Sequence, residues 1–197
     1  MSTNLKPSQQ EAEEAVKLLI RWIGDDPNRS ALKKTPARVV RAYQEMFAGY
    51  QQDPESILAT TFKPDQADSG FILVKNIRAV SHCEHHMLPF IGTVHIGYVP
   101  GDSGVLGLSK FARLVEAFSK RLQTQERLTY EIAREIDQKL KPKGVKVMMD
   151  STHYCMSIRG VQKHEATTLT SQAFGCMKTD QLLDQQMRQA IHAKQSW

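Results

Sequence analysis

The chain has 197 residues, 41% hydrophobic and 24% charged, with a formal net charge of +5. That make-up fits one globular domain, or one domain with a helical extension, large enough to bury a core. No apolar run approaches the roughly twenty residues needed to span a bilayer. Met1 to Glu14 is polar and lacks the apolar stretch of a secretory signal, so the cytoplasm is the expected location and no membrane partner is expected. Cys83, Cys155 and Cys176 are too few and odd in number for a disulfide framework. The positive charge admits a phosphorylated small molecule, nucleic acid, or no partner beyond solvent.

In chain order, Ser8-Gln9-Gln10-Glu11 reads as a capping box, and Ala12, Ala15, Val16, Leu19 and Ile23 follow at helical spacing until Gly24. Thr35-Pro36 starts a second helix, with threonine as N-cap, and Asp53-Pro54 opens a short third. Lys63 to Gly70 is a polar, turn-rich link. Residues 1–65 are therefore expected to be a helical N-terminal region and residues 66–197 a second domain. There the pattern changes: Phe71 to Val80 and Phe90 to Val99 read as an antiparallel pair of strands. Ser109 looks like the N-cap of a helix whose apolar stripe is Phe111, Leu114, Val115, Phe118 and Leu122. Leu128, Ile132, Ile136 and Leu140 mark another, ended by Pro142 and Gly144. Val145 to Met149 and His153 to Ile158 read as strands interrupted at Asp150-Ser151-Thr152. Ala166 to Phe174 reads as a further strand, and Thr179-Asp180 starts a last helix. The second part is thus strand-strand, helix-helix, strand-strand, an α+β arrangement.

Between the first two strands lies Ser81-His82-Cys83-Glu84-His85-His86, with one thiol, one carboxylate and three imidazoles in six residues. Thiolate and imidazole suit zinc, and Cys83 and His86 have a Cys-x-x-His spacing that one tight turn can present. Cys155 could be a third ligand, leaving a position for water as in catalytic zinc sites. His85 lies between two of these residues. His153, two before Cys155 on an expected strand, should share its face. Both are acid/base candidates. Taken alone, the spacing leaves zinc ligand, ordinary loop and surface histidines all open.

Arg38 and Arg41 follow the second helix start, Lys110 and Arg113 share the face of the helix after Ser109, and Arg159 follows Cys155. Basic side chains at helix starts can hold phosphates, or simply be a solvated surface. Gln125-Glu126 opens the long helix. A carboxylate can accept from both N1–H and the exocyclic amine of guanine, although a glutamate there is also ordinary helix-start chemistry. The basic residues lack interleaved aromatics, which argues against nucleic acid.

These segments resemble the GTP cyclohydrolase I family. The resemblance is carried by Ser81-x-Cys83-Glu84-His85-His86, Pro89-Phe90-x-Gly92, His95-Ile96-Gly97-Tyr98-Val99-Pro100 and Gly107-Leu108-Ser109-Lys110. It continues through Arg121-Leu122-Gln123-x-Gln125-Glu126-Arg127-Leu128-Thr129, His153-x-Cys155-Met156 and Arg159-Gly160-Val161. It implies a helical N-terminal region on a T-fold ββααββ domain with an antiparallel sheet, and subunits assembled into a homodecamer of two pentameric rings. It implies conversion of GTP and water to 7,8-dihydroneopterin triphosphate and formate, by metal-activated water attack at guanine C8, ring opening and an Amadori-type rearrangement. This is the entry step to folate-type pterins. It further implies one Zn2+ per subunit on Cys83, His86 and Cys155, with His85, His153 and Ser109 as catalytic groups. Glu126, Gln125, Lys110, Arg113, Arg159, Arg38 and Arg41 become the substrate contacts. The departures, at Gly101 to Gly104, Asp150-Ser151-Thr152 and His164-Glu165-Ala166, touch none of the implied ligands.

Overall fold

The computed structural model describes residues 6–62 and 70–193, so Lys63 to Ser69 of the expected polar link lie outside the described residues. The chain forms two units, Met1–Ala48 and Gly49–Trp197.

The first unit holds α1 (Gln9–Trp22) and α2 (Thr35–Met46), packed on each other. The capping box forms as expected: Ser8 Oγ accepts from the Glu11 amide, and the Glu11 carboxylate accepts from the Ser8 amide at 2.8 Å. Gly24, at φ +95°, follows α1 and ends it. The second helix starts one residue earlier than its composition suggests. Lys34 is the N-cap, and Thr35 begins the helix without a side-chain cap.

The second unit contains α3 (Pro54–Leu58), β1 (Thr61–Phe62), β2 (Ile72–Cys83), β3 (Pro89–Val99), β4 (Val105–Leu106), α4 (Leu108–Ser119) and β5 (Leu122–Gln123). These are followed by α5 (Gln125–Leu140), β6 (Gly144–His153), α6 (Tyr154–Ser157), β7 (Thr167–Gly175), α7 (Cys176–Thr179) and α8 (Gln181–His192). The main sheet has the order β5-β2-β3-β6-β7. It is antiparallel except where β5 joins β2 in parallel, and β1 and β4 make a separate pair. The ββααββ order read from the sequence is therefore present, in an α+β fold.

Strand alternation divides the unit into two apolar layers. Val94, Ile96 and Tyr98 of β3 and Val145, Val147 and Met149 of β6 pack with Phe111, Leu114, Leu128, Ile132 and Ile136 of α4 and α5. Each such buried side chain contributes about 1.5–3 kcal/mol. On the other face, Met148, Met177 and Met187 form a smaller cluster, against which Cys176 packs.

Three local expectations fail for tertiary reasons. The helix that periodicity extends to Leu122 ends at Ser119, because Arg121 turns back to donate to Ala117 O at 3.0 Å and Leu122 pairs with His82. The interruption at Asp150-Ser151-Thr152 does not occur. These residues lie in a strand paired on both sides, to Thr93-Gly92-Ile91 and to Leu169-Thr168-Thr167, and that pairing overrides their weak strand propensity. After His153 the chain is helical, so His153 to Ile158 is not a strand. In addition, α5 is closed by Lys141, held left-handed at φ +45°, rather than by a glycine. Pro142 disfavours a helical residue before it.

Among the described residues, no helix is long and apolar enough to cross a membrane.

Candidate metal centre

The strand β2 runs through Ser81, His82 and Cys83, all buried, so the loop proper is shorter than the sequence suggests. It is a tight turn. The Cys83 carbonyl accepts from Met87 N at 2.8 Å and His86 N at 3.3 Å, while Cys83 N donates to Leu88 O at 2.9 Å. Met87 takes φ +55° to close it. The turn leaves His85 and His86 exposed beside a buried thiol. Their Nδ1 atoms lie 3.7 and 3.9 Å from Cys83 Sγ.

Proximity to Cys83 therefore does not separate the two histidines; Cys155 does. The group whose donor atoms all lie within 4.8 Å of one another is Cys83, His86 and Cys155, and His85 stays outside it. Bonds of ~2.0–2.3 Å to a tetrahedral zinc place ligand atoms about 3.3–3.8 Å apart, so this group needs only a slight contraction to fit. The donor set, two sulfurs and one imidazole, is that of a borderline-soft cation. Burial, and then the neighbouring Cys83 sulfur, push the Cys155 thiol up, while Arg159 draws it down. A thiol whose ionisation is opposed in this way is one a divalent cation would deprotonate. The residues fit a metal.

Cys155 sits in α6 and His153 ends β6 as its N-cap, so they do not share a strand face as expected. His153 is held in another way. Its ring stacks on Phe90, with centroids 4.7 Å apart and an 8° tilt, and its Nε2 lies 2.8 Å from Gln125 Oε1. Burial lowers its pKa, and the Glu126 charge opposes that shift. The structure thus brings Arg159 into the field of Cys155 and Glu126 into that of His153.

Glu126 is exposed in the first turn of α5, after the Thr124 N-cap. Gln125 beside it is 1% exposed. Its amide is engaged by Met149, Ser151, His153, Thr168 and Thr170, which leaves its side chain no polar atom for a substrate. Ser109 is not a cap. Gly107 takes that place, and Ser109 and Lys110 lie in the first turn of α4, with Arg113 one turn further on. The side chains of these three make no hydrogen bond or ion pair among the described residues. Arg38 and Arg41 are exposed on α2 of the first unit.

Sequence reasoning assigned no role to Arg127, although it lies in a quoted motif. The structure ties it to the ligand loop, with its guanidinium 2.7 Å from Glu84. A Glu beside a ligand cysteine and an Arg at a helix start were the available signals, but nothing local pairs them.

A family model described as GTP cyclohydrolase I matches residues 12–192. The GTP cyclohydrolase 1 of Sinorhizobium fredii is 49% identical over 178 residues, covering 90% of this chain and 86% of that protein. That of Allorhizobium ampelinum is 51% identical over 183 residues, covering 93% and 90%. That of Pelagibacter ubique is 50% identical over 175 residues, covering 89% and 86%. With its motifs, fold and Cys-His-Cys group in agreement with this match along most of its length, the chain belongs to the GTP cyclohydrolase I family.

Proposed function

We propose that this protein hydrolyses GTP to 7,8-dihydroneopterin triphosphate and formate. Family membership supports the reaction, and the convergence of Cys83, His86 and Cys155 within 4.8 Å is the observation that carries the site assignment. Cys83, His86 and Cys155 would hold a zinc ion, which would supply Lewis acidity and lower the pKa of a water.

The other residues divide the remaining work. Glu126 accepts two hydrogen bonds from the guanine amidine edge, which leaves adenine unpaired. His85 and His153 hold and move protons at guanine N7 or N9, making C8 electrophilic as water adds there. A second hydration releases formate. Ser109 acts at the ribose as it opens, rearranges and recloses onto the exposed amines with loss of water. Lys110, Arg113 and Arg159 hold the triphosphate through charge-assisted hydrogen bonds, and the family resemblance adds Arg38 and Arg41 as phosphate contacts. The free side chains of Lys110 and Arg113, one helical turn apart, support that reading.

The same reading places the chemistry in residues 66–197, with 1–65 as a helical region, in a homodecamer located in the cytoplasm and feeding folate-type pterin synthesis. The test is incubation with GTP, with and without a chelator, following formate release and oxidised neopterin fluorescence. Both signals should appear, vanish with chelator and return with zinc. Metal-loaded protein that yields neither product would overturn the assignment.

A further inference from the structure

The network around Gln125 can be oriented in only one way. One end of its amide faces Met149 O at 3.0 Å and Thr168 O at 2.8 Å. Backbone carbonyls only accept, so this end is the NH2 group, Nε2. Thr170 Oγ1, 3.1 Å from the same nitrogen, fits the assignment. Thr129 Oγ1 donates to Gln125 O at 2.8 Å, so Thr170 gives its proton to Thr129 at 2.7 Å and keeps a lone pair for the amide.

The other end is therefore the carbonyl oxygen, Oε1, which has no proton to give. Ser151 Oγ lies 2.5 Å and His153 Nε2 lies 2.8 Å from it. Each must donate, so His153 carries a proton on Nε2. The Phe90 ring fixes the plane of the imidazole, and Gln125 fixes its rotation within that plane. Gln125 is 1% exposed and sits at the start of a sixteen-residue helix, so this acceptor is held by the core rather than by a loop.

We infer that Gln125 is a positioning residue that locks His153 as its Nε2–H tautomer, so that Nδ1 is the nitrogen that exchanges a proton with the substrate. The inference rests on the reading of His153 as an acid/base group. It also replaces a substrate contact by the Gln125 side chain with an action through His153.

The zinc-loaded enzyme provides two tests. In the first, 15N-histidine-labelled wild-type protein is examined by solid-state NMR, with His153→Ala identifying the signal. A neutral His153 protonated at Nε2 is the expected result, and protonation at Nδ1 would overturn the inference whatever any variant does. In the second, Gln125→Met preserves side-chain length and removes the acceptor. It should lower kcat by about 10- to 100-fold, a part of what general acid–base catalysis supplies. Zinc content and KM for GTP should stay within about twofold, as expected when an interaction used only in the transition state is lost. Ser151→Ala, which removes the second donor to the same oxygen, should leave kcat within about threefold if orientation of His153 is what matters. A raised KM with unchanged kcat in Gln125→Met would instead make Gln125 a substrate contact. Full activity in Gln125→Met beside an inactive His153→Ala would sink the positioning role alone. Full activity in His153→Ala would sink the acid/base reading beneath it.

Discussion

Arg127 reaches from the first turn of α5 to the ligand loop, where its guanidinium lies 2.7 Å from the Glu84 carboxylate. The same side chain donates to Leu122 O and to Gln123 Oε1, each at 2.8 Å. Gln123 O in turn accepts from Glu84 N at 3.0 Å. Glu84 is thus held by its backbone and by its side chain, one residue from Cys83 and two from His86. The side chains of Arg127 and Glu84 are 45% and 32% exposed, so their Coulomb attraction alone is worth about 0–1 kcal/mol. What the pair adds is orientation of the loop that carries Cys83 and His86.

Arg127→Met should therefore weaken metal binding without unfolding the protein. Direct partners of metal ligands are worth 10–100-fold in affinity, and a clamp one residue removed should give about threefold to tenfold. Competition against a chromophoric zinc chelator measures it. Unchanged affinity with an unchanged melting temperature would remove Arg127 from the metal site.

His85 and His86 pose a sharper question, because both imidazoles lie within 4 Å of the Cys83 sulfur, at 3.7 and 3.9 Å. Only His86 also gathers with Cys155. His86→Ala and Cys155→Ala should each lose bound metal on dialysis, whereas His85→Ala should keep about one ion per chain and fail in turnover. Metal analysis of the purified variants decides this. A metal-free His85→Ala beside a metal-replete His86→Ala would exchange their roles.

Gly92 sits where β3 and β6 leave no room for a side chain. A Cβ there would lie 1.9 Å from Asp150 O and 2.5 Å from Ser151 Cβ, on the register pair that joins β3 to β6. Gly92→Ala should force these strands apart at a cost of about 1–3 kcal/mol. It should also disturb Ser151 and His153, both bonded to Gln125. A lowered melting temperature together with lowered kcat is expected. A native melting temperature would show that the strands accommodate the methyl group.

The features legible in the sequence were those written in local chemistry. Ser8-Glu11, Asp53 and Asp180 announced their helices, and each caps one. The Cys-His-Cys group was legible as a candidate because thiol and imidazole suit a metal, although their spacing alone equally allowed an ordinary loop. The rest depends on distant partners. Leu122 fits a helical stripe and leaves it because Arg121 turns back onto Ala117 O and His82 offers a strand to pair with. Asp150-Ser151-Thr152 reads as a break until two neighbouring strands are known to flank it. The resemblance makes Gln125 a substrate contact, whereas its inward amide is engaged by Met149, Thr168 and Thr170. The faint signal was a series of hydroxyl side chains, Ser151, Thr168 and Thr170, in strands that otherwise should bury apolar groups.

His95 gives the protein a dependence on pH that is separate from the metal. A bulge in β2 turns Asn76, at φ +64°, so that its amide donates to His95 Nδ1 at 3.3 Å. The other nitrogen lies 3.5 Å from Thr93 Oγ1. The ring is therefore accommodated neutral, with Nδ1 as acceptor. Burial, then the charge of Lys75, hold its pKa below the usual 6.5; His192 adds to this and Asp150 opposes it. The unfolded chain binds a proton near the ordinary value while the folded chain still excludes it. Stability should thus fall as pH drops through about 6.5 and stop falling below the lowered folded value. Urea midpoints measured from about pH 7.5 to about pH 5.5 should show this decline. His95→Gln, which keeps an acceptor for Asn76 but cannot titrate, should flatten part of it. An undiminished slope in that variant would assign the pH dependence to His82 and His153, whose pKa values burial also lowers.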